Sequence, residues 1–354
     1  MHTENSVLFE AIEGVDGSLG LITLNRPQVL NSLNQVMIRA LYRQLSDWAS
    51  AKHIKAVVIC AAPGRAFCAG GDLRSTYERR QTKDDHLWHF FYDEYHLNRL
   101  IFHYPKPYIA FLDGITMGGG VGISIHGSHR IATDRLVFAM PETGIGFFPD
   151  VGGSYFLPRF AHHIGFYLGL SGTKLSGDDC IAIGIATHKI ASDSFDQFIK
   201  ALASHSFGHD ARSSVTNVLQ SFLVPSPNST LLTLQNEIEA CFSNRTIEEI
   251  MDALQKTPSS FAKETVTQLL KKSPTSLKVS LQALQRGSTL SFDDCMRQEF
   301  RLARRFLQGH DFLEGIRAVI IDKDQMPKWK PATLSDVKQQ DIQEYFEPLK
   351  EELI

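Results

Sequence analysis

Hydrophobic positions change their period along this chain, and the changes mark out its elements. Residues 7–13 and 19–25 are short runs of β-branched and apolar residues. The cluster Gly14-Val15-Asp16-Gly17-Ser18 lies between them, so the pair predicts a hairpin closed by Arg26-Pro27. From Leu33 onward, Val36, Met37, Ala40, Leu41, Leu45 and Trp48 recur at the spacing of one helix face. Residues 56–61 form a continuous apolar run, as a buried strand does. An aromatic helix is predicted over 86–103, with Glu94 inside it. The turn Pro105-Lys106-Pro107 then leads into a strand over 108–112. A short helix over 120–126 and strands over 130–133 and 136–139 follow. Strands alternating with helices predict an α/β architecture. Residues 191–310 are mostly helical in pattern, broken at Pro225-Ser226-Pro227-Asn228 and Ser273-Pro274. The change near residue 200 sets the expected domains, a mixed core over 1–200 and a helical region over 201–354. The mixed charges of residues 322–331 predict a surface loop.

Composition narrows the class. A chain of 354 residues with 43% hydrophobic and 21% charged residues is long enough for one large domain, or a large and a small one. A formal net charge of -3 gives no basic field for nucleic acid. No apolar run is long enough to span a membrane. The opening Met1-His2-Thr3-Glu4-Asn5 lacks both a signal-peptide pattern and a transit-peptide pattern, so a cytoplasmic enzyme is expected, or a mitochondrial one if a presequence has been removed. The five scattered cysteines contain no C-x-x-C pair, which argues against a disulfide framework or a cysteine zinc site. Cys68 could be a nucleophile, but a small buried hydrophobe is the favoured reading.

Candidate chemistry concentrates in residues 114–150. Gly118, Gly119 and Gly120 precede a short apolar run, and Glu142 and Asp150 each follow a proline in apolar surroundings. Glycine lets a backbone N–H approach a ligand, and an N–H opening a helix suits developing negative charge. Earlier, Gly70-Gly71-Asp72 ends another loop, and two N–H groups, of Gly71 and Gly119, converging on one oxygen would make an oxyanion hole. Simple turns account for most such glycines. Neither G-x-G-x-x-G nor G-x-x-x-x-G-K-[ST] occurs, so dinucleotide and P-loop readings lose their motif. Gly122-Ile123-Ser124-Ile125-His126 lacks the last glycine of G-x-S-x-G, and residues two apart on a helix diverge, which disfavours a serine hydrolase. The histidines, His162-His163 among them, lack metal-ligand spacing, and no metal site is expected. By themselves, Glu142 and Asp150 read as turn or cap carboxylates and Glu94 as a solvated helix residue.

Several separate motifs change that balance. Asn25-Arg26-Pro27, Phe67-Cys68-Ala69-Gly70-Gly71-Asp72, residues 114–120 and Met140-Pro141-Glu142-Thr143 resemble the successive signatures of the crotonase (enoyl-CoA hydratase/isomerase) superfamily. GITMGGGVGISIHG, FAMPETGIGFFPDVGGSYFLPR and the tail from Phe312 to Pro331 are similar to its 3-hydroxyisobutyryl-CoA hydrolase branch. The similarity covers nearly the whole chain. It implies a spiral of β-β-α turns followed by a helical C-terminal region. It also implies an acyl-CoA substrate, a place in valine breakdown, no cofactor beyond the CoA of the substrate, and association into homo-oligomers. Position by position, it makes Gly71 and Gly119 the oxyanion donors, Glu142 the catalytic glutamate, Asp150 the second acid, and Glu94 the glutamate of the acyl pocket. Whether Glu142 attacks directly or activates water stays open. Gly122 falls where true hydratases carry a second glutamate, which favours hydrolysis over hydration. A hydratase or isomerase with a rearranged site, and a non-catalytic acyl-CoA binder, are the alternatives. Arg26, Arg65, Arg74 and Lys328 are available for the CoA phosphates, and none is assigned.

Overall fold

The computed structural model describes residues 6–82, 86–227 and 229–353. The first five residues, on which the cytoplasmic expectation rests, and Asn228 of the predicted break lie outside them. The chain folds as two units, each built from separated segments.

The first unit takes in residues 1–71, 96–138 and 174–230. Its larger sheet starts with the expected hairpin, β1 (Val7–Glu13) and β2 (Ser18–Leu24), antiparallel with Val7 opposite Leu24 and Glu13 opposite Ser18. Beside β2 lie, in order, β3 (Ile54–Ala61), β5 (Tyr108–Leu112), β7 (His129–Ala132) and β10 (His188–Lys189), all parallel. The smaller sheet runs β4 (Ala66–Cys68), β6 (Ile115–Met117), β8 (Val137–Ala139) and β9 (Leu175–Ser176). Parallel strands covered by helices are apolar along their length rather than alternating. β5 is accordingly buried at every residue. Ala56, Val58, Ile109, Phe111 and Ile131 pack with Phe198, Leu202, Val215 and Leu219 from the helices Phe195–Ala203 and Ala211–Leu219. Each fully buried aliphatic or aromatic side chain contributes roughly 1.5–3 kcal/mol.

The helix predicted from Leu33 spans Gln35–Ser50, and the Asn34 side chain caps it by accepting from the Met37 N–H at 2.9 Å. Its buried stripe is Met37, Ile38, Leu41, Leu45 and Trp48. Val36 is 52% exposed, so the expected face was displaced by one position at its start. The helix expected over 120–126 is only Gly119–Gly122. Glycine is a poor helix former, and the Ser124 hydroxyl donates back to the Gly120 and Val121 carbonyls just past its end.

The second unit takes in residues 72–95, 139–173 and 231–354. It is built largely of helices, with Pro274–Gly287 and Phe292–Phe306 the longest, and a C-terminal helical region is what the sequence pattern predicted. The first approaches the short helix Gly153–Phe156 so closely that a Cβ on Gly287 would lie 1.9 Å from the Ser154 carbonyl oxygen. Residues 322–331 are mostly exposed, as expected, and Arg317 ties them down through Asp322 and Asp324, each at 2.6 Å.

Candidate active site

The glycine donors belong to the first unit. Gly70 has φ +110, and its carbonyl accepts from the Leu33 N–H at 2.8 Å. That places the turn beside the second glycine segment, since a Cβ on Gly70 would lie 3.9 Å from both Gly118 Cα and the Gly119 nitrogen. Among the described residues, the N–H groups of Gly71 and Gly119 donate to no backbone carbonyl outside the regular elements. Gly119 is the first residue of its helix, where an N–H has no partner within the helix. Glycine at 120 has a packing reason, because a Cβ there would sit 2.2 Å from the Cys68 carbonyl oxygen. Cys68 is fully buried, the hydrophobe favoured from sequence. Ser124 is buried and its hydroxyl is used on helix carbonyls, so it is no nucleophile.

The carboxylates belong to the second unit. Glu94 and Tyr95 ride on the helix His89–Phe102, anchored through Phe91 against Phe147 and Phe312 with ring centroids 5.4 and 6.4 Å apart. Glu142 opens a one-turn 3-10 helix, Glu142–Ile145, that ends on Gly146 in the left-handed region. That glycine admits no side chain, since its Cβ would lie 2.3 Å from the Asp311 carbonyl oxygen. Phe147 and Phe148 are buried, and Pro149 leads to Asp150. Glu142 is 6% exposed, Asp150 5% and Glu94 2%. Glu94 is therefore no solvated helix-face residue.

Their electrostatics follow from this burial. Asp150 Oδ2 accepts from the Tyr95 hydroxyl at 2.8 Å, whereas Glu94 Oε1 and Glu142 Oε2 have no hydrogen-bond partner among the described residues. Loss of water raises all three carboxyls, and the Asp150 charge raises Glu94 and Glu142 further. Burial takes Asp150 up to about 7, against the lowering effect of the Tyr95 bond. Lys272 works the other way on Glu142. Its Nζ would lie 3.2 Å from a Cβ on Gly144, within the Glu142 turn, and the adjacent Ser273 N–H donates to the Thr143 carbonyl at 3.3 Å. Its positive charge lowers Glu142, while burial takes Lys272 itself down to about 8.

The buried acid has a stability consequence. Below about pH 4, Asp150 is protonated in both folded and unfolded chains and affects nothing. Between about pH 4 and 7 the folded chain keeps a proton that the unfolded chain has lost, so stability falls as pH rises. Above pH 7 the loss is complete. Asp150→Asn should therefore gain Tm relative to the parent as pH rises from 4 to 8. A Tm difference that stays flat in a pH series of thermal melts would remove Asp150 as a buried, proton-holding group.

Three residues of this cluster were missed from sequence. Tyr95 looked like one more apolar helix position, and Lys272 gave no signal. Glu299 did give one, since it interrupts the buried stripe Phe292, Cys295, Met296, Phe300, Ala303 and Phe306 at an apolar slot. Its carboxylate accepts from the N–H groups of Gly152 and Ser154 at 2.7 and 2.9 Å and from the Ser154 hydroxyl at 2.6 Å. His163, which the sequence leaves as a surface or structural histidine, meets Glu239 at 3.1 Å. Among the described residues, no three His, Cys, Asp or Glu side chains are placed to hold a metal ion.

Two sheets of mainly parallel strands, a helical C-terminal region and paired glycine turns are the frame of an acyl-CoA enzyme of the crotonase type. The chain belongs to the enoyl-CoA hydratase/isomerase family, whose profile matches residues 19–346. It is 44% identical to 3-hydroxyisobutyryl-CoA hydrolase, mitochondrial, of Rattus norvegicus, over 98% of this chain and 90% of that protein. Identity to the Homo sapiens protein of the same name is also 44%, over 94% and 87%. A carnitinyl-CoA dehydratase from Mycobacterium thermoresistibile has a similar structure, with a TM-score of 0.91, 37% identity and 99% coverage of both chains. The word mitochondrial in the relatives' names runs against the plain expectation of a cytoplasmic enzyme.

Proposed function

We propose that this protein hydrolyses an acyl-CoA thioester, 3-hydroxyisobutyryl-CoA, to 3-hydroxyisobutyrate and free CoA. The observation that carries the proposal is the buried set Glu94, Glu142 and Asp150, two of which keep an oxygen without a partner among the described residues. The full-length likeness to two hydrolases of that substrate supports it. In this reading the N–H groups of Gly71 and Gly119 receive the thioester oxygen as it becomes negative. Glu142, as the carboxylate, attacks the carbonyl carbon or removes a proton from the attacking water. The C–S bond then breaks, Asp150 delivers a proton to the departing thiolate, and on the direct-attack route water cleaves the Glu142 acyl anhydride to release the acid and restore the carboxylate. Glu94 accepts from the substrate hydroxyl and so selects β-hydroxy acyl groups. The same reading puts the chain in mitochondria and in valine breakdown.

The structural relative named as a dehydratase keeps hydration in view. Gly122 stands against it, because it offers no second carboxylate at the position where hydratases carry one. A panel of acyl-CoA esters read by free-thiol release and by absorbance at the enoyl double bond separates the readings. Thiol release from the β-hydroxy ester is expected. Water addition to crotonyl-CoA without thiol release would replace hydrolysis by hydration, and tight binding with neither would leave a binder.

Lys272 gives this reading a pH signature. Glu142 must be ionised to attack or to act as base, and the nearby ammonium favours that form. Lys272→Met should move the acid limb of the kcat profile to higher pH and lower kcat near pH 7 about tenfold. An acid limb at the parent position would show that Lys272 has no influence on Glu142.

A further inference from the structure

Asp150 opens a turn with unusual backbone. The Gly153 N–H closes onto the Asp150 carbonyl at 2.8 Å, and both residues between them have positive φ, Val151 at 51 and Gly152 at 89. Gly152 tolerates this, but Val151 is β-branched and such residues are rare there. A strained conformation of this kind persists only where its surroundings over-determine it. The Glu299 side chain is one part of those surroundings, bonded on either side of Gly153. It comes from the distant helix Phe292–Phe306 and has no exposed surface. One of its oxygens accepts from the Gly152 N–H, and the other from both the N–H and the hydroxyl of Ser154.

We propose that Glu299 is the positioning residue for Asp150: its carboxylate clamps the strained turn from 150 to 153 so that the Asp150 side chain meets the Tyr95 hydroxyl. This deepens the hydrolase reading and rests on it for the catalytic consequence, though not for the clamp itself. A neutral residue of the same shape would not suffice. Three donors converge on two oxygens, and a Gln amide at 299 would turn an N–H₂ toward one of them. The carboxylate also belongs electrostatically to the Asp150 cluster, where Glu94, Tyr95, Glu142 and Lys272 are the other titratable groups. Burial and, less, the Asp150 charge raise Glu299, while the bonds from the Ser154 hydroxyl and the N–H groups of Gly152 and Ser154 act against this and favour the carboxylate form.

The test compares Glu299→Gln and Glu299→Asp in the full chain. A misplaced reacting group costs up to about a hundredfold in rate. Glu299→Gln should therefore lower kcat by about that factor, with KM for 3-hydroxyisobutyryl-CoA changing no more than about threefold. Glu299→Asp keeps the charge and should recover part of kcat. Amide hydrogen exchange should quicken over residues 150–156 in Glu299→Gln and stay unchanged in the strands of the first unit. The clamp is overturned if exchange over 150–156 equals that of the parent, or if a folded Glu299→Gln keeps parental kcat in a parent that releases thiol. It is overturned equally if both variants lose kcat alike and exchange quickens across the whole chain, which is general destabilisation. If the parent releases thiol from no ester, the hydrolase reading fails, and the exchange measurement still decides the clamp by itself.

Discussion

Glu142→Gln is expected to lower kcat for thioester hydrolysis by about a thousandfold or more, the upper range for losing a general base or nucleophile. The substitution keeps size and shape, so the fold should survive. It removes a carboxyl raised by burial and by the Asp150 charge. The parent loses stability as pH rises above the ordinary carboxyl value, because the folded chain holds the proton that the unfolded chain releases. The variant should therefore gain Tm relative to the parent as pH rises from 4 to 8. Normal turnover in Glu142→Gln would remove this residue from the chemistry. A single turnover in ¹⁸O-water then separates its two roles. Label in the enzyme carboxylate marks a covalent acyl-enzyme, and label in the product alone with no acyl-enzyme trapped by hydroxylamine marks a general base.

The second large effect is expected from the backbone. Gly119→Pro deletes the N–H proposed to receive the thioester oxygen, and losing one such donor costs about a hundred- to a thousandfold in kcat. Proline suits the first position of a helix, and Gly119 holds that position. Gly119→Ala keeps the N–H and serves as the control. The donor role requires proline to lose far more activity than alanine while both variants keep the parental circular dichroism. Equal losses would mean that the site responds to bulk alone.

Much of the fold was legible because its elements carry their own periodicity. The hairpin over residues 7–24 and the buried strands β3 and β5 announce themselves through short-range patterns, and the structure moves their ends by no more than two residues. The short helix at Gly119 was overextended, because local glycine propensity and the Ser124 hydroxyl are stronger there than the apolar run suggests. The loops of the site were legible for another reason. A glycine next to a backbone donor, or a carboxylate after a proline, is a local chemical requirement, and such requirements appear as motifs.

Glu299 and Lys272 show where that legibility stops. Each acts on a residue well over a hundred positions away, Glu299 on the turn after Asp150 and Lys272 on Glu142. Nothing near them in the chain states the pairing. Residue order alone was enough for the mixed α/β class and the glycine turns, because these depend on neighbours within a few residues, whereas Glu94, Glu142 and Asp150 were singled out only through the family resemblance. It took the folded chain to establish that Glu94 is buried, that Tyr95 holds Asp150, and that Glu299 accepts from Gly152 and Ser154. Desolvation and like-charge repulsion depend on packing in three dimensions, and spacing along the chain carries no measure of that.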